Sequence, residues 1–177
     1  MPTNTVSENV DVGPATVTFD GTELGETTGE TTFTYEVETQ EIETEESGLV
    51  EEIVTSDNAT VEVPIIESDV THLSTILPWA TIVENTTEGT KKLQVGDAIG
   101  EKLSQYAKEL IISPKLADDK SRDINIWKAY PIPGPLEFSY SREGTRVANV
   151  SFKMIKDDTQ DEGAEVLTIG DPSVTAS

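Results

Sequence analysis

Alternation of apolar and polar residues over residues 31–64 constrains the fold of this chain more than any other sequence feature. Phe33, Tyr35 and Val37 alternate with threonine and glutamate residues, and a similar alternation returns near the end of the stretch. A period of two is typical of a β-strand with one buried and one solvated face. The pattern therefore predicts two antiparallel strands. We expect the acidic residues 42–57 to form a long loop that joins these strands as an extended hairpin.

The charge of the chain is distributed unevenly. The net charge is -22, with 34 acidic and 12 basic residues, and every Lys and Arg lies at or after position 91. An acidic half of this kind must be spread over solvent, face a cationic partner or repel polyanions. Adaptation to a salty environment is an alternative explanation. The sequence predicts no tight nucleic-acid binding, because such binding needs clustered Lys and Arg to neutralise phosphates.

The residues needed for most catalytic and metal sites are scarce. The chain has no cysteine and a single histidine, His72, within a predicted helix. It contains no phosphate-binding glycine motif and no nucleophile motif of known hydrolases. We therefore expect no enzymatic activity, no cofactor and no metal site, and we interpret the paired acidic residues near 118 and 157 as solvated loop charge. The N-terminal residues do not resemble a signal peptide, and no apolar run is long enough for a membrane span.

The rest of the sequence predicts a mainly β domain. Ser68 is a suitable N-cap for one short helix over residues 69–77, which Pro78 ends. Residues 83–89 and the proline-rich residues 131–135 are predicted to be a loop and a turn. Further strands are predicted at residues 15–19, 109–113, 123–130, 136–155 (a hairpin) and 166–169. We expect an antiparallel β-sandwich or barrel-like domain over residues 14–170, with a flexible arm at 1–13 and a tail at 171–177.

The order of these elements resembles the tail tube (major tail) proteins of long, non-contractile-tailed phages and related tailed viruses. The resemblance covers about residues 12–170 and rests on several sequence pieces in order. These pieces are ATVTFDGTELGETTG, TTFTYEVETQEIETEESGLVEEIVTSDNATVEVPIIES, DVTHLSTILPW, ELIISPK, DINIWKAYPIPGPLEFSY and TRVANVSFKMIKD.

The resemblance implies a virion structural protein of the tail. Its subunits would form hexameric rings, and stacked rings would make a tube with a negatively lined channel through which DNA passes without tight binding. Partners would be further copies of the chain and the tail terminator, tape-measure and distal tail proteins, with no membrane partner. The alternatives are a tail terminator or distal tail ring protein, and an acidic calcium-binding extracellular β-sandwich adhesin.

Two sets of residues would carry this function. The predicted lumen-facing residues are Thr32, Thr34, Glu36, Glu38, Thr60, Glu62, Glu137, Ser139 and Ser141, and the alternative is that they are solvated outer-face residues of a sandwich. The predicted contacts between rings come from the acidic loop and from a charged loop in the second half. They are Glu43, Glu45, Glu46, Leu49, Val50, Glu51, Glu52, Ile53, Lys115, Lys120 and Arg122. We expect deletion of residues 45–52 to leave a folded subunit that cannot stack.

Overall fold

The computed structural model describes residues 13–46, 48–66, 69–115, 120–133 and 147–174. Its elements are ten strands, one α-helix and one 3-10 turn at Leu103–Tyr106. The prediction of a mainly β, antiparallel fold with one short helix is confirmed. In chain order the elements are β1 Ala15–Phe19, β2 Thr22–Glu23, β3 Thr32–Thr44, β4 Gly48–Ile65, α1 Val70–Ile76, β5 Ala80–Asn85, β6 Thr90–Val95, β7 Lys108–Pro114, β8 Ile124–Pro133, β9 Ala148–Met154 and β10 Leu167–Ile169.

Eight of the strands form a single antiparallel sheet. Its order is β2-β1-β7-β8-β9-β4-β3, with β10 pairing the first residues of β8. The chain passes from β2 at one edge to the opposite edge within a few residues, where Thr27 forms an antiparallel bridge with Ile65. The two edges therefore lie near each other at this end, and the sheet curls around its own apolar face.

The core fills the inside of this curl. Val17, Leu110, Ile126, Val61 and Phe152 come from five different strands, and all are at most 1% exposed. Each sits on the core side because side chains alternate along a strand, so every second residue faces inward. Phe19 of β1 is a further core residue, and its ring centroid lies 5.1 Å from that of Phe152.

Helix α1 closes one side of the core. Its N-cap is Asp69, whose carboxylate accepts a hydrogen bond from the Thr71 backbone N–H at 3.2 Å. The prediction of Ser68 as the cap is wrong, although the predicted helix boundaries agree within one residue. Ile76 and Leu77, at the end of the helix, are buried in the core. None of the helices in the described ranges is long and apolar enough to span a bilayer.

Residues 42–57, predicted as a loop, are wrongly assigned, because β3 and β4 continue through them to a tight turn. The predicted loop at 83–89 is also partly wrong, since β5 and β6 form a separate two-stranded sheet there. Pro131 and Pro133 belong to β8 rather than to a turn. They are tolerated because β7 pairs β8 no further than Ala129, which leaves that part of β8 with β9 alone among the described strands.

The segment after β9 is fastened to β8 by side-chain contacts. The interpretation of Asp157 as solvated loop charge is wrong, because its side chain is only 7% exposed and its carboxylate lies 2.7 Å from the Lys128 ammonium. The same carboxylate accepts hydrogen bonds from Gln160 and Thr159. The lysine, followed by these hydrogen bonds, holds the pKa of Asp157 well below its usual range. Trp127 adds an indole N–H bond of 2.8 Å to the Ala164 carbonyl.

We predict that Asp157→Asn destabilises the subunit at neutral pH, because it removes the negative charge that Lys128 contacts. A lowered folded-state pKa stabilises the protein above the unfolded pKa of about 4, and that contribution is lost as the pH falls below it. The urea midpoints of wild type and variant should therefore differ at pH 7 and converge as the pH falls from about 4 toward 2. Asp158→Asn is the matched control, because Asp158 is exposed. A midpoint difference that does not change with pH would contradict this assignment.

Candidate functional site

The pairing of β3 with β4 brings six of the predicted lumen residues onto one face of the sheet. Thr32 lies opposite Glu62, and Thr34 lies opposite Thr60. Glu36 and Glu38 follow on the same face, because side chains two apart on a strand share a face. Their partners across the strand pair are Asn58 and Ser56. We call this the outward face, since the other side of the same strands carries the buried residues Ala59 and Val61.

The outward face extends across β9 and β8. Glu62 pairs with Ser151, and Thr60 pairs with Lys153, which in turn lies opposite Tyr130. The sequence analysis did not include these residues in the face, although the burial of Phe152 between two polar neighbours is the signal that places them there. Lys153 puts a cation within a face predicted to be lined by carboxylates and hydroxyls. Glu137, Ser139 and Ser141 lie outside the described residues.

Beyond the body of the sheet, β3 and β4 continue as a two-stranded ribbon. We define the ribbon as residues 38–56, which pair from Glu38–Ser56 to the turn before Gly48. Gly48 has φ +68, the left-handed conformation that glycine adopts without strain in such turns. Two residues of β4, Val50 and Thr55, are bulged out of register. Every predicted contact residue in the segment 42–57, from Glu43 to Ile53, therefore lies on one of the two paired strands or at the turn between them.

Side-chain hydrogen bonds cross the ribbon and its base on both faces. The Ser56 hydroxyl donates to the Glu38 carboxylate at 2.7 Å on the outward face. On the opposite face, the Tyr35 hydroxyl donates to Asp57 at 3.2 Å. Partial desolvation, and then the neighbouring Asp57 charge, raise the pKa of Tyr35. These bonds join adjacent strands and thus hold the ribbon in its register.

One contact across the ribbon is unfavourable. Glu41 lies directly opposite Glu52, and residues 13–90 contain no Lys or Arg. Like charges at directly opposed positions destabilise a strand pair, since their Cβ atoms are about 5 Å apart. The hydroxyl of Thr39 donates a hydrogen bond to the Glu52 carboxylate, but this adds no positive charge. The ribbon thus lacks a cation where one would stabilise it.

The predicted basic partners lie at the same end of the sheet as the ribbon. Lys115 follows the end of β7, and Lys120 and Arg122 precede β8, while residues 116–119 are outside the described ranges. The start of β8 and the end of β9 lie at the same end of the sheet, because the two strands are antiparallel. The ribbon lies at this end too, since Thr60 of β4 pairs near the end of β9 and the residues before Thr60 extend beyond it. Within its own chain, Lys120 contributes to the lowered pKa of Asp171, after the hydrogen bonds from Ser173. Contact of these cations with the acidic residues of another copy remains a prediction.

A groove separates the base of the ribbon from β10. It has a volume of about 430 Å³. Its walls are mainly apolar, with Phe33 and Tyr35 on one side and Leu167 and Ile169 on the other. Asp57 and Glu165 at its margins are too few for a metal site, and within the described ranges no group of three or more His, Asp or Glu residues is placed to hold an ion.

Comparison with known proteins finds a likeness in structure. No protein-family model matches the chain, and no curated protein matches it. Among solved structures, the chain is similar to the tube terminating cap of the anti-feeding prophage, with 10% sequence identity and a TM-score of 0.48. The likeness covers 85% of this chain and 94% of the cap chain. At this identity and TM-score, the likeness does not assign a function.

We predict that Glu41→Lys stabilises the ribbon of the isolated subunit, because it converts an opposed pair of like charges into an opposed pair of unlike charges. Such a pair is worth about 0.2–1 kcal/mol, so amide hydrogen exchange within residues 39–54 should slow by up to about fivefold. Glu43→Lys is the matched control, since it makes the same change in net charge opposite Leu49. Equal effects of the two substitutions would show that the Glu41–Glu52 opposition is not the cause.

Proposed function

We propose that this protein is a structural component of the tail of a phage or phage-like particle, and that it assembles with itself into rings. The sequence resemblance to tail tube proteins suggests this class. The observation that carries the proposal is the combination of an open, polar sheet face with a long ribbon that projects beyond the core. A sheet face four strands wide suits the wall of a channel, and a projecting ribbon suits contacts between subunits.

The tube protein is our first choice within this class. Its rings would be hexameric and stacked, with the outward face of each subunit toward the channel. The protein would be located in the tail of the virion. Glu36, Glu38 and Glu62 would repel DNA phosphates over about 8–10 Å at physiological salt. Threonine and serine hydroxyls would give a neutral surface between them, and Lys153 would reduce the repulsion locally. We propose passage of DNA without tight binding, and no catalytic step.

A terminator or distal ring protein is the alternative within the same class. It would form a ring without stacking into long tubes, and would contact the tube and the other tail proteins. Images of the assembled protein test the channel assignment directly. If Glu36, Glu38 and Glu62 point away from the channel in the ring, they do not line it. A single ring without tubes would favour the terminator.

We predict that shortening the ribbon prevents assembly while the subunit still folds. A deletion of residues 45–52 would join Thr44 to Ile53, which are not opposite each other, so a matched truncation is preferable. Residues 41–52 are replaced by Asn-Gly, which joins the directly opposed Gln40 and Ile53 through a two-residue hairpin turn. The buried core is untouched, and thermal unfolding should remain cooperative. Sedimentation and negative-stain microscopy should show monomers, whereas persistent long tubes would contradict a role of the ribbon in assembly.

A further inference from the structure

The ribbon has apolar side chains on both of its faces. Ile42 and Ile53 lie on the outward face, at diagonal positions across the two strands. On the opposite face, Val54 lies in the ribbon with Leu49 further toward the turn, and Val37, the residue just before the ribbon, continues the same face. All five side chains belong to large hydrophobic residues that are between 41% and 60% exposed. Neither face of the ribbon is therefore buried by the domain to which it belongs.

A two-stranded ribbon in this state is poorly stabilised by itself. Isolated two-stranded hairpins are marginally stable in water, and they become stable when an apolar face is covered. Covering one face would leave the apolar residues of the other in water. Exposed apolar residues grouped on a projecting element are typical of protein–protein contacts. Burial of both apolar faces of the ribbon therefore requires two covering surfaces.

The negative charge of the ribbon indicates that the covering surfaces are basic. The ribbon bears Glu41, Glu43, Glu51 and Glu52, and the opposed pair at 41 and 52 lacks a cation. The body of the same chain exposes lysines on several elements, all of them after residue 90. They include Lys102 and Lys115. The body of a second copy therefore offers the charge that the ribbon lacks.

We propose that the ribbon is inserted between two further copies of this chain, one packed against each face. This inference rests on the proposed self-assembly and adds that each ribbon has two separate contacts. Each contact buries its own apolar pair, Ile42 with Ile53 or Val37 with Val54. Lysines of the covering copies lie among the ribbon carboxylates. Each subunit is thereby joined to two others through a single element.

Paired substitutions test the two faces separately. One variant carries Ile42→Thr and Ile53→Thr, and the other carries Val37→Thr and Val54→Thr. Threonine keeps the β-branched shape that suits strands but places a hydroxyl in the contact. Each variant should raise the subunit concentration for half-assembly by about tenfold or more, while thermal unfolding of the subunit changes little. Val83→Thr with Val95→Thr is the matched control, because both valines are exposed on strands outside the ribbon.

Thiol labelling gives a second readout that does not depend on weakened assembly. The chain has no cysteine, so one introduced thiol is labelled alone. Ile53 and Val54 are neighbours whose side chains point to opposite faces. In Ile53→Cys and in Val54→Cys, the thiol should react freely in dissociated subunits and at least about tenfold more slowly in assemblies. Unfolding the assembled sample should restore full labelling and so confirm that the thiol is intact.

The outcomes separate this inference from the proposed function. Protection of both thiols, with impaired assembly of both threonine variants, supports two covering copies. If wild type assembles but only one face is protected or sensitive, the ribbon has one contact, and the inference is wrong while the proposed function stands. If both faces stay reactive in assembled protein, the ribbon has no contact and the inference is again wrong. Wild type that remains monomeric would overturn the proposed function itself.

Discussion

The structure depends on the unequal coverage of strand β4. Strand β3 pairs with β4 along almost its whole length, whereas β9 pairs only with residues 60–65. Along the part of β4 that β9 pairs, and at Ala59 just before it, alternate side chains from Ala59 to Ile65 are buried. Where β9 ends, the same strand continues with both faces in solvent. One run of hydrogen-bonded backbone thus joins a rigid core to an exposed ribbon, and the position of the ribbon is fixed by the core.

This arrangement explains how an acidic chain maintains a stable fold. The buried part of β4 carries no acidic residue on its core side, and its one carboxylate, Glu62, is on the outward face. The acidic residues of the ribbon lie beyond the core, so their mutual repulsion does not oppose core packing. Repulsion instead acts on the ribbon, which has little apolar burial to offset it. The ribbon therefore combines little stabilisation by the core with the charge needed to contact a basic surface.

Sequence alternation identified the strands that contribute to the core and failed where that alternation ends. Phe33 and Val61 are in strands because each lies in a period-two pattern with one buried face. In the ribbon, consecutive glutamates and the bulged Val50 and Thr55 break the period, so the sequence pattern there predicts a loop instead of strands. The alternation within β3 and β4 is enough to place their polar residues on one face, but Lys153 joins this face by pairing with Thr60, 93 residues away in the sequence. No local pattern contains that information.

The alternation of side chains also limits how the length of the ribbon can change. Adding one residue to each strand would exchange the two faces beyond the insertion, moving Ile42 or Leu49 to the side now occupied by the other. Adding two residues to each strand would keep every side chain on its face. The ribbon can thus lengthen or shorten only in steps of about 6.6–6.8 Å while it preserves its contacts. The spacing between any two surfaces that it bridges is therefore restricted to discrete values.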